Sequence, residues 1–320
     1  MEITSQQLNH PWFVAVWPGM GNVAVSAGYY LMAKLQMRPL AEFYSRELFD
    51  LDHIEVHQGL ISIGNQPRNR IFVWSDPKQR HDIVLFIGEA QPPTGNYLFC
   101  RKLMDYANGL GVEKLFTFAS MATEMHPEHE ARVFGAATDK KTLHTLQNHH
   151  LNIIQGGQIS GLNGTLLGAA KERGLSGACL LGEIPHIFSQ LPFPKATMAI
   201  LKVFTNMAHI DLDLSELAGH AQQMERELGG LLAQIEKKIS QHRNQPPEEP
   251  WSIEPAVTID EEQAPRINAQ QKKHIERLFK QALDDRSKAY ELKAFLDRLE
   301  VFDDYEDRFL DLFQKPDEDR

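Results

Sequence analysis

Along the chain, short apolar runs alternate with longer stretches whose apolar residues recur every three or four positions, and the alternation stops after residue 181. Residues 13–17 form a buried-strand signal, 18–22 a turn, and 23–35 carry apolar and small residues at helical spacing. A strand, a glycine turn and a helix in that order open an α/β domain. Further strands are expected at 39–44, 54–63, 70–74, 82–88, 114–120, 132–137, 152–155 and 177–181. Residues 54–63 and 70–74 read as a hairpin closed by the loop 64–69. Helices are expected at 97–110, at 140–149 behind an Asp139 N-cap, at 165–173, and from Pro194 through Met207. This order implies parallel βαβ units with helices on both faces of one sheet, plus an antiparallel hairpin.

The pattern changes after residue 209. Leu214, Leu217, Ala221, Met224, Leu228, Leu231 and Ile235 step by three and four through a long helix expected at 213–239. Such a seam fits either a helix pair within one chain or a contact between subunits. Residues 241–264 hold Pro246, Pro247, Pro250 and Pro255 among polar residues, a linker composition. Helical stripes then resume, ending in Phe302, Tyr305, Phe309 and Phe313. That aromatic row needs cover, because each large side chain left wet forfeits about 1.5–3 kcal/mol. It is expected to pack back on the α/β domain or on a neighbouring subunit. The division is therefore an α/β core at 1–209, an amphipathic helix at 210–240, a proline-rich linker at 241–265 and a helical extension at 266–320.

Composition narrows the function more than the fold. The formal net charge is −10, and residues 241–320 set 20 carboxylates against 13 cations. That balance argues against a nucleic-acid partner, which wants a basic face. The two cysteines, Cys100 and Cys179, lie in no CxxC pattern and imply a reducing compartment. The first residues lack a basic region followed by an apolar run, and no stretch is long and apolar enough to span a membrane. A cytoplasmic protein without membrane attachment is expected.

Candidate chemistry gathers where parallel strands end, since ligands of open α/β sheets collect beyond the strand C-termini. Those ends carry Gly19, Gly21 and Asn22; Glu89 and Gln91; Ser120 and Thr123; Gly157 and Ser160; and Glu183 and His186. Glu89 and Glu183 each follow an apolar strand and a glycine, so the two carboxylates are candidates to face one cavity. Against this, the first turn has neither GxGxxG nor GxxxxGK[ST] and reads as a phosphate cradle or simply a tight turn. Neither Ser26 nor Ser160 lies in GxSxG, and His126 and His129 have no zinc spacing. No catalytic set, metal or cofactor is assigned.

Four runs carry a resemblance: AVWPGMGNVAVSAGYYLMAKL, FIGEAQPP, IIQGGQISGLNGTLLGAAKERGLSGACLLGEIP and LDRLEVFDDYEDRFLDLF. In this order they resemble the proteasome assembly chaperone family, in the branch of larger bacterial and archaeal members, over roughly residues 12–239 and the terminal helices. The resemblance implies a three-layer α/β/α sandwich like the phosphorylase/hydrolase-like fold of nucleoside phosphorylases, assembled as homo-oligomers, often trimers, with no established catalytic residues. Some members dock on the proteasome core through a C-terminal hydrophobic-tyrosine-any tripeptide; this sequence reads Glu318-Asp319-Arg320 there, so docking of that kind is not expected. Two readings result. One is a non-catalytic, self-associating interaction module with another protein complex as partner. The other is an enzyme or binder of a nucleoside-like ligand at the strand ends.

Overall fold

The computed structural model describes residues 8–49, 54–57, 59–62, 66–243, 267–299 and 301–313. The central strands are β1 (Trp12–Val16), β6 (Ile83–Gly88), β7 (Lys114–Thr123) and β10 (Ser176–Pro185), all parallel. Flanking them are β2 (Arg38–Glu42) and β5 (Asn69–Trp74) on one side, and β8 (Val133–Ala137) and β9 (Asn152–Ile153) on the other. The eight-stranded order is β2-β5-β6-β1-β7-β10-β8-β9, with β5 and β8 antiparallel to their inner neighbours. Strand β6 is interior, as its unbroken apolar run requires.

Side-chain alternation splits the core into two layers. Val14, Val16, Leu85, Ile87, Phe118 and Leu180 face α1 (Val23–Lys34) and α5 (Pro194–Ala208). Phe13, Ala15, Phe86, Leu115, Cys179 and Leu181 face α2 (Asn96–Gly109) and α4 (Gly161–Glu172). The sheet therefore carries helices on both faces, the α/β/α arrangement expected. Both cysteines are free and buried, and burial pushes each thiol up to about 12. Helix α3 (Lys140–Asn148) starts at Asp139, whose carboxylate accepts the Thr142 N–H at 2.8 Å.

Several elements differ from the sequence reading. The described residues of the expected strand 54–63 do not pair with 70–74. They fold on themselves as β3 (Glu55–His57) and β4 (Leu60–Ser62), with Val56 opposite Ile61 and Gly59 turning at φ +81°. Strand β5 instead bridges β2 and β6. Strands β7 and β10 stay in register for ten residues, to the Pro185–Thr123 pair, so Thr123 and Glu183 belong to strands rather than to loops. Helix α4 begins at Gly161, four residues earlier than its apolar pattern.

Helix α6 (Ser215–Arg243) buries Leu217, Ala221 and Leu228 of the expected seam, chiefly against α5. Leu231 of the same seam is 44% exposed. Of the C-terminal helices, α8 (Ala289–Arg298) and α9 (Phe302–Asp311) pack back on α1, and α7 (Ala269–Asp284) packs on α8. Tyr29 of α1 meets Phe302 and Phe309 edge-on at 5.3 and 5.5 Å, and Tyr30 meets Tyr290 at 4.6 Å. Phe309 and Phe313 are fully buried, which is the cover the aromatic row requires. The segment 315–320, with its expected lack of a docking tripeptide, lies outside the described residues.

Candidate functional site

The C-terminal edge of the sheet is assembled from the ends of β1, β6, β7 and β10. After β1 the chain turns at Gly21, at φ +65°, a conformation that favours glycine. The Gly21 N–H donates to Ser189 O at 2.8 Å, and its carbonyl accepts the Phe193 N–H at 3.0 Å. The Asn22 N–H donates to Gly19 O, and the Ser120 hydroxyl to Met20 O at 2.7 Å. The turn thus spends the Gly21 and Asn22 amides on its own chain, where a phosphate cradle would hold them open. Gly19 is exposed and extended.

Beyond β6, Gln91 Oε1 accepts the Leu162 N–H at 3.0 Å and so serves the first turn of α4. Ser160, the residue before that helix, makes no side-chain cap. Gly164 explains the tight entry: a Cβ there would stand 1.9 Å from the Ile159 carbonyl oxygen. Gly157 is exposed at φ +124° with open space around it. His186 is largely exposed, its Nδ1 4.0 Å from Glu124.

The two candidate carboxylates are both engaged. Glu183, only 1% exposed, accepts from the Thr123 hydroxyl at 2.8 Å and from Arg132 Nε at 2.8 Å and Nη2 at 2.5 Å. The Arg132 guanidinium outweighs burial and holds Glu183 below its ordinary value. Glu89 accepts from the Arg68 N–H at 2.7 Å and from Arg70 Nη1 at 2.5 Å. Asp307 of α9 completes this corner, paired with Arg70 and, at 2.9 Å, with Arg68. Burial pushes Glu89 up, against the Arg68 amide and the Arg70 charge.

The structure does not bring these two groups together. Three strand steps separate β6 from β10, roughly 14 Å at about 4.8 Å each. They also point to opposite faces: Glu89 follows Ile87 toward the α1 layer, and Glu183 follows Leu181 toward the α2/α4 layer. Glu183 and Thr123 line a shallow cleft of about 410 Å³ with Met125, His129 and Arg132. Arg70, Arg132 and Asp307 were not foreseen as partners. The available signal was a cation at each strand lying antiparallel beside a glutamate-bearing one. Among the described residues, no three His, Cys, Asp or Glu side chains converge as a metal set, and no helix is long and apolar enough to cross a membrane.

A different kind of surface lies beside this edge. A groove of about 260 Å³ runs between α6, α8 and the loop before α5. Leu191, Phe193, Met224, Leu228, Leu231 and Tyr290 give it an apolar lining.

The strand-end groups of this α/β/α core are therefore engaged with other parts of the same chain. The PAC2 family model matches residues 13–232, so the chain belongs to the PAC2 family, the proteasome assembly chaperone family that its motifs resemble. The chain is similar to the uncharacterized protein MJ1210 of Methanocaldococcus jannaschii, 28% identical over 168 residues, covering 52% of this chain and 64% of that one. Its fold is shared with Pyrococcus furiosus PbaB, an archaeal proteasome activator, at TM-score 0.61 and 24% identity, over 74% of this chain and 97% of PbaB. It is also shared with the Mycobacterium tuberculosis proteasome-assembly chaperone homologue Rv2125, at TM-score 0.59 and 23% identity, over 68% and 93% of the two chains.

Proposed function

We propose that this chain is a non-catalytic, chaperone-like interaction module that self-associates, most simply as a trimer, and acts on a proteasome-type particle in the cytoplasm. The observation that carries this reading is how the candidate groups at the strand ends are used. Glu89, Gln91, Ser120, Thr123 and Glu183 each hold another part of the same chain. Large apolar side chains are meanwhile left at the surface, among them Leu60, Ile61, Ile187 and Leu231. Exposed apolar groups in concentration mark interaction sites. Membership of the PAC2 family and the proteasome-linked names of the structural neighbours favour the particle named. Two buried free thiols accord with a reducing compartment.

The test is affinity capture of the full chain from its native cells, with light scattering on the purified protein. Recovery of proteasome-type subunits, and a mass three times the 36.4 kDa of one chain, are expected. Capture without such subunits removes the partner, and a one-chain mass at micromolar concentration removes the self-association.

A further inference from the structure

Glu89, Gln91 and Glu183 at the strand ends are each bound within the chain, but the polar groups of the groove between α6, α8 and the 191–194 loop are not. The Ser26 hydroxyl, the His220 ring and the Tyr290 hydroxyl all line it, and none of them makes a hydrogen bond among the described residues. Tyr290 is the telling one, because it is only 5% exposed. Its ring has packing reasons to be there, edge-on to Tyr30 at 4.6 Å and stacked on His220 at 5.4 Å. Its hydroxyl has none. Buried hydroxyls are nearly always hydrogen-bonded, and one left without a partner costs stability. This oxygen is not among the fully enclosed unpartnered atoms, so it keeps open surface through which a partner can reach it.

The charged side chains of the groove divide in the same way. Glu227 accepts from Gln223 Nε2 at 2.9 Å and Asp297 from Lys293 Nζ at 2.6 Å, whereas Arg298 makes no ion pair or hydrogen bond among the described residues. Arg298 lies close enough for its charge to disfavour a protonated His220, and His220 stacks on Tyr290, so the open groups converge. What they offer is donors. Burial keeps the Tyr290 phenol protonated, and a guanidinium has five N–H groups and no acceptor. The occupant must therefore bring acceptor oxygens. It must also bring an apolar body, to face Phe193, Met224, Leu228 and Ala294. The cavity of about 260 Å³ lies just under the roughly 300 Å³ at which small-molecule pockets begin, so the body is small. We infer that this groove binds a small monocarboxylate with an apolar body, whose carboxylate accepts from Arg298 and the Tyr290 hydroxyl while the body lies on the Met224–Leu228 wall of α6.

Titration calorimetry of the full chain with octanoate tests the site, with octanol and octylammonium as probes that share the tail and differ in the head. Octanoate should bind saturably, one per chain, and about tenfold tighter than either of the others. Tyr290→Phe keeps the ring and removes a hydroxyl that holds nothing in the chain, and Arg298→Gln changes an exposed side chain without a partner. Both variants are therefore expected to keep the parent's circular dichroism and melting temperature, and each should weaken octanoate binding about tenfold. A parent chain that takes up no octanoate overturns the site. Octanol or octylammonium binding as tightly as octanoate overturns the carboxylate, and variants that bind octanoate as the parent does overturn the two donors named.

Discussion

Glu89 and Glu183 come from the same local signal, an aliphatic residue, a glycine and a glutamate at the end of a buried strand, and they arrive in opposite surroundings. Glu183 is held inside the family-matched core by Arg132 and Thr123, and its carboxyl lies below its usual range. Glu89 sits where β5 meets the C-terminal extension, and burial lifts it. The difference comes from strand parity. In β6 the glycine continues the Phe86 face and the glutamate the Ile87 face; in β10 the glutamate continues the Leu181 face. A tripeptide fixes how a strand ends, but the phase of the whole strand against the sheet decides which layer the last side chain enters.

The largest effect that could break this contrast is loss of the extension's anchor. Phe309→Ala removes a fully buried ring from against Tyr29, Phe302 and Phe313, and should cost about 3–5 kcal/mol in urea unfolding. Hydrogen exchange should quicken in α9 and at the Arg68–Arg70 corner while β10 keeps its protection. Equal loosening at Glu183 would show that the two corners are one unit. A smaller loss is expected from Glu183→Ala, which leaves Thr123 and Arg132 without their acceptor, at about 2 kcal/mol. Here β7 and β10 should lose protection at their ends and α9 should not.

Much of the fold was legible because its strands are buried on both faces and read as unbroken apolar runs. Residues 83–88 are of this kind, and the turn before α1 was legible from its glycines, of which Gly21 takes φ +65°. The aromatic row of α9 announced that it needed cover, though not that Tyr29 would supply it. What failed was long-range pairing. Residues 54–63 have strand composition, and nothing local says they close on themselves at Gly59 instead of joining β5. The ten-residue run of β10 was cut short in the sequence reading by Gly182 and by a charge at 183. In the structure that glycine lets Ala196 approach, since a Cβ would stand 2.9 Å from the Ala196 Cβ, and Arg132 neutralises the charge. The candidate rim was legible as a set of strand ends but not as a set of contacts, because Arg70 and Arg132 lie 19 and 51 positions from the glutamates they bind, and Asp307, which shares Arg70, lies 218 positions from Glu89.

The smallest effect is the sharpest test, because the two glutamates should respond to acid with opposite sign. Glu183 is depressed in the folded chain, so its contribution to stability is fully present above the ordinary value of 4.5 and drains as the pH falls through the folded value. Glu89 is raised, chiefly by burial, so the folded chain binds its proton more tightly than the unfolded chain does. Its contribution favours folding below 4.5 and is lost as the pH rises from there through the raised folded value. Glutamine at either site stays neutral and removes that site's titration. Urea unfolding of the parent, Glu183→Gln and Glu89→Gln from about pH 3 to pH 7 then gives two difference curves. Parent minus Glu183→Gln should climb with pH across the acid limb and level off above 4.5. Parent minus Glu89→Gln should fall with pH over the interval above 4.5, where the buried carboxyl gives up its proton. If both curves climb, Glu89 is an ordinary ion-paired carboxylate held by Arg70. The extension would then add Asp307 to that corner without straining it, and the contrast between the two corners would reduce to geometry alone.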